Sequence, residues 1–171
     1  MLSKEQEAWL SGAIENVSPM LMPAAHALLE AVKDIELATE TFNETQLRTQ
    51  PNGAPSVGFH LLHIAGSCDR LLTYARGENL SDEQFAELAA EKEVNDSACA
   101  DSLMRKAVGR IEIVIEEIRL TPAEILFERR TVGREQLPTN VFGLLFHIAE
   151  HTQRHVGQIV ATAKIVGSPN D

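Results

Sequence analysis

The chain has 171 residues, of which 44% are apolar and 23% charged, and a net charge of −10. That length suits one domain with a proper core, and the apolar content excludes bulk disorder. The acidity speaks against a nucleic-acid binder, which needs a concentrated basic face, and offers no attraction to an anionic membrane.

Aromatic residues make up only 5% of the chain, so the core must be built from Leu, Ile, Val and Ala, a composition that favours helices over an all-β fold. The densest basic group, Arg129, Arg130 and Arg134, lies among Glu128 and Glu135. Cys68 and Cys99 form no CxxC motif and read as two free thiols in a reducing cytoplasm. The start, Met1 to Glu7, is charged and lacks an apolar signal segment, and no stretch reaches the ~20 apolar residues of a spanning helix.

Residues 1–18 form a lead-in with an apolar patch of Trp9, Leu10, Ile14 and Val17, ending at Ser18-Pro19. Helical periodicity predicts a first long helix from Met20 to Phe42, followed by a turn-rich break over residues 50–55. Ser56 stands as the N-cap of a second long helix, Val57 to Ala75, that stops near Gly77. Ser81 caps a shorter helix with acids in its first turn. A third long helix runs from Ala98 to Arg119 behind Asp96 or Ser97, and Thr121-Pro122-Ala123-Glu124 reads as a capping box opening another short helix. Residues 127–137 read as a loop or short extended segment. Pro138-Thr139-Asn140 then opens the last long helix, Asn140 to Ile165, with Gly167 as its stop. The whole predicts an all-α four-helix bundle over residues 19–167, either up-and-down or with a long crossover, and a tail over 168–171.

Five of the six histidines fall in two helical segments: His60 and His63 in the second long helix, and His147, His151 and His155 in the last. Residues four apart share a helix face, so His147/His151 or His151/His155 can serve one ion. All three cannot, because His147 and His155 stand ~12 Å apart along the axis. His60, His63, Ser67, Arg70 and Tyr74 line a matching seam, from which His63 or His60 would bring a third imidazole. Three imidazoles with open positions are the ligand set of catalytic zinc sites. The run His151-Thr152-Gln153-Arg154-His155 has Thr152 where the HExxH metalloproteases carry their glutamate, which argues against a protease. Gly157, inside the last helix, suggests close helix packing there, and Gln158 either orients a ligand or sits at an interface.

The stretch Ser56 to Gly66, with His63 in an Leu-Leu-His-Ile-Ala context, resembles the second helix of the DinB/YfiT-like superfamily, and His151 to Ile159 resembles its last helix, with an HxxxHxGQ pattern. The resemblance spans about Pro19 to Val166. It implies a metal triad of His63, His151 and His155, holding Zn or Ni, or Fe. It also implies an enzyme class that includes thiol-dependent S-transferases and an isomerase using a low-molecular-weight thiol. In that frame His147, Glu150 and Tyr74 are candidate proton carriers, His60 and His147 supporting residues, and His26 a structural residue or one at the pocket edge. Arg70 reads as a salt-bridge partner or an anion contact. A small-molecule substrate and a homodimer complete the expectation; the alternative is a non-catalytic dimeric stress or accessory protein with a structural or vestigial metal site.

Overall fold

Caps and apolar periodicity decide where the long helices begin and end. A computed structural model describes residues 6–91 and 99–167, with long helices α1 (Met22–Thr39), α3 (Val57–Ala75), α5 (Ala100–Leu120) and α6 (Val141–Gly167). Short helices α2 (Glu44–Arg48) and α4 (Asp82–Ala90) and a hairpin of β1 (Arg129–Val132) and β2 (Leu137–Asn140) fill the connections. The all-α four-helix bundle is therefore present, and no helix among the described residues is long and apolar enough to cross a membrane.

Helix α3 matches its predicted span because both ends are chemically marked. The buried Ser56 Oγ accepts from Phe59 N at 3.2 Å. At the other end Gly77, at φ 81°, lets its N–H reach Tyr74 O and the Glu78 N–H reach Thr73 O, both at 3.0 Å. That pair of bonds is a Schellman stop, which only a residue tolerant of the left-handed region closes easily. Helix α4 begins with the predicted Ser81 cap, completed as a box by Gln84. The proposed caps Asp96 and Ser97 of α5 lie outside the described residues.

Two local readings are overturned. Thr121 does not open a capping box: its hydroxyl donates back to Glu117 O at 2.7 Å, and only a single 3-10 turn, Ala123–Ile125, follows. Pro138-Thr139-Asn140 does not lie at the helix start as a unit but forms β2, paired antiparallel with β1 in the register Arg130↔Thr139 and Thr131↔Pro138. Thr131 and Val132 are β-branched and suit a strand, and Gly133 and Gln136 take the positive φ of the tight loop. Asn140 still caps α6, accepting from Gly143 N at 2.7 Å. Arg130, a member of the densest basic group, ties the hairpin down, since its Nε donates to Ala75 O at 2.7 Å.

The core is almost entirely aliphatic, with Leu28, Ile35, Leu61, Ile64, Ile111, Ile118, Leu145 and Ile148 all buried. The four long helices meet in the cyclic order α1–α6–α3–α5. Helices consecutive in the chain, α1/α3 and α5/α6, are thus diagonal, which excludes the simple up-and-down arrangement in favour of long crossovers. The two connections that cross the bundle are the ones that carry α2 and the hairpin, lengths a tight turn cannot span. This order sets α6 directly beside α3, so the two histidine seams face each other.

The lead-in is fastened through polar groups rather than an amphipathic helix. The buried His26 bonds Gly12 O through Nε2 at 2.8 Å, and Glu30 accepts from Ala8 N at 2.7 Å. Val17 is buried, whereas Trp9 and Leu10 face solvent beside a single 3-10 turn, Ala8–Ser11.

Candidate metal centre

Helix α3 brings His60 and His63, and α6 brings His147, His151 and His155, because α3 and α6 pack side by side with their apolar faces turned to the core. His63, His151 and His155 converge, each offering a ring nitrogen within 4.8 Å of the others. Their ring centroids form a triangle of 4.5, 4.6 and 5.2 Å. Their half-buried positions leave one side reachable from solvent.

The proton placement follows from the partners. Arg154, a donor only, lies 3.2 Å from His151 Nδ1, so that nitrogen accepts. His151 Nε2–H then donates to His63 Nε2 at 3.0 Å, and His63 Nδ1–H donates to Glu91 Oε2 at 2.7 Å. His155 Nδ1 pairs with His60 Nδ1 at 2.9 Å, which leaves the His155 Nε2 side for the site. His60 is itself buried, and its Nε2 has no hydrogen-bond partner among the described residues.

Burial, reinforced by the neighbouring imidazoles, pushes His60 and His151 down to about 4 and His155 down to about 3. His60, His151 and His155 are accordingly neutral at neutral pH, and for His151 and His155 that is the state a metal ligand needs. Burial works against ionisation of Glu91, but hydrogen bonds from His63 and Arg70 outweigh it and hold the carboxyl below its ordinary range.

Arg70 is a buried salt-bridge partner, donating to Glu91 Oε1 at 2.6 Å. His147 is exposed beside His151, its ring 5.5 Å away, and its Nδ1 lies 3.2 Å from Glu150 Oε2. Glu150 also holds Arg154 at 2.6 Å, so these three polar groups form a rim next to the triad. Tyr74 is half-buried against the core, ~16 Å along α3 from His63, and makes no ring or hydrogen-bond contact with the triad. Thr152 points into the core beside the Cys68 thiol, which burial pushes up to about 11. Cys68 and Cys99 are both free.

The close packing expected at Gly157 is corrected by the structure, and Gln158 stands next to it. Both are exposed, and a methyl added to Gly157 would meet nothing within 4 Å, so among the described residues no helix packs there. The close approach occurs instead at Gly66, where an added methyl would fall on Glu91 Oε1 and lie 2.6 Å from Arg70 Nη1. Gly66 in the middle of a helix is itself a signal of that kind. Glu91 carries none: it sits in a charged run at the end of a short exposed helix, and only the way α4 folds back on α3 brings it to His63. Phe59 was also missed, stacked on His63 at 5.6 Å with its ring nearly parallel.

No curated protein matches the chain. Among solved structures, YfiT from Bacillus subtilis, described as a probable metal-dependent hydrolase with an unusual four-helix bundle topology, aligns with a TM-score of 0.66 at 15% identity. The alignment covers 92% of this chain and 94% of that one, and it shows a shared fold. The DinB superfamily profile matches residues 25–159, a span that contains α3, the triad and α6 as far as Ile159. On that match, the chain belongs to the DinB superfamily.

Proposed function

We propose that this protein is a divalent-metal-dependent enzyme whose ion is held by His63, His151 and His155, and that it acts on a small molecule with a low-molecular-weight thiol, as an S-transferase or isomerase. The observation that carries the reading is the convergence of three imidazoles from two packed helices on one point, with His151 and His155 kept neutral by burial. The donor set suits Zn or Ni, and also Fe. A bound divalent ion supplies Lewis acidity, lowering the pKa of a thiol or water taken into an open position.

The chain's own residues do the remaining work. Glu91 and His60 hold the His63 and His155 rings from behind. His147 and Glu150, joined at the exposed rim, are placed to carry a proton between the site and solvent. The thiol comes from outside, because Cys68 is sealed in the core with its thiol kept protonated. Water in place of the thiol would give a hydrolase, a reading favoured by the description of YfiT. The same proposal places the protein in the cytoplasm as a homodimer, with the exposed Trp9 and Leu10 available at an interface.

The test is turnover by metal-loaded protein against two panels, electrophiles with small thiols and simple esters or amides without thiol. Metal-dependent thiol consumption that drops at least ~100-fold in His63→Ala supports the transferase. Hydrolysis that needs no thiol supports the water-based reading. Inactivity of fully loaded protein on both panels would return the bundle to the class of accessory proteins.

A further inference from the structure

We infer that Glu91 is the positioning residue of the centre: it fixes the ring of His63 so that Nε2 faces the ion, and Arg70 and Gly66 serve to hold it there. The inference rests on the reading of His63, His151 and His155 as ligands. Three independent features support it. Glu91 is buried and splits its two oxygens between His63 Nδ1 at 2.7 Å and Arg70 Nη1 at 2.6 Å. Arg70 is buried as well, an expensive place for a guanidinium unless its charge has a dedicated partner. Gly66 leaves open the space the pair occupies, since a methyl there would strike both groups.

The chemistry follows from the acceptor character of a carboxylate. A carboxylate can only accept, so His63 must keep its proton on Nδ1 and present the Nε2 lone pair. Arg70 prevents the carboxylate from turning away, because rotating it would leave a buried guanidinium without its oxygen. No other ligand has this arrangement: His155 faces another imidazole and His151 faces the donor Arg154.

A purely structural role predicts different behaviour. If Glu91 only staples the end of α4 onto α3, its loss should lower thermal stability and leave metal affinity alone. Two variants separate the possibilities. Glu91→Gln preserves shape but offers an amide, which cannot satisfy both a His63 N–H and the Arg70 N–H with acceptors. Gly66→Ala keeps every polar group and displaces only the flexible ends of Glu91 and Arg70, while improving local helix propensity.

The experiment measures Zn affinity by chelator competition, melting temperature of the metal-free protein, and the His63 tautomer by nitrogen-15 NMR. Expected are a Nδ1–H tautomer in the parent, loss of its uniqueness in Glu91→Gln, and Zn affinity reduced on the order of 10–100-fold in both variants. Gly66→Ala, which keeps both charges and gains helix propensity, should lose less melting temperature than Glu91→Gln. Parent-like Zn affinity in both variants, or a His63 tautomer with the proton on Nε2 in the parent, would overturn the inference. A parent that binds no Zn would end the metal reading, and the tautomer would still decide whether Glu91 sets the ring.

Discussion

Burial that holds His151 near 4 and His155 near 3 makes these rings ready for a metal and costly in acid. Unfolded imidazoles titrate near 6.5, so below that pH the unfolded chain binds protons the folded one refuses. Stability therefore falls as pH is lowered from about 6.5 to about 3, more gently below about 4, and levels once the folded rings also protonate. Melting of metal-free protein across that window checks it; a flat profile would contradict the burial argument. Arg154 makes a second residue-level prediction. It donates to His151 Nδ1 and so favours the proton on the Nε2 that a metal needs free. Arg154→Ala should raise metal affinity by on the order of fivefold, the worth of one exposed charged hydrogen bond of about 1 kcal/mol, by competition titration. The histidines were legible at this scale because i, i+4 spacing and the family resemblance both concern local sequence. Glu91 was not, because nothing local distinguishes it from the other acids on α4.

Elements were legible where their ends carry chemistry. The N-cap Ser56 and the stop at Gly77 mark α3 unambiguously, and Ser81 with Gln84 marks α4. Because Ser56 is buried and starts the helix that carries His63, Ser56→Ala should lower unfolding free energy by about 1 kcal/mol, read by denaturant titration. The hairpin was harder to see. Its strands have four residues each, and their pairing is a tertiary event, helped by Arg130 reaching back to Ala75. Thr121 shows the same limit from the other side: a capping-box pattern yields to a hydroxyl bonding backward to Glu117 O, and the helix it should begin is never built.

At the scale of the molecule, the diagonal placement of consecutive helices was invisible because periodicity tells which face is buried and not which neighbour covers it. That placement matters for function, since it sets α3 against α6 and makes the centre a cross-link between two helices far apart in the chain. A ligand bound only by the folded state stabilises it by mass action, ~2.7 kcal/mol at a hundredfold excess over its dissociation constant. For a chain of this length that corresponds to a rise in Tm of about 5–10 °C on metal loading, reversed by a chelator. Scanning calorimetry with and without metal reads this directly.

The most direct test of the central claim is the metal content of untagged protein by elemental analysis, beside single alanine variants of the histidines. The account predicts about one equivalent of divalent metal in the parent, lost in each of His63→Ala, His151→Ala and His155→Ala, and kept in His147→Ala and His60→Ala. A parent that takes up no divalent metal even after reconstitution, or a triad variant that keeps its full equivalent, would contradict it.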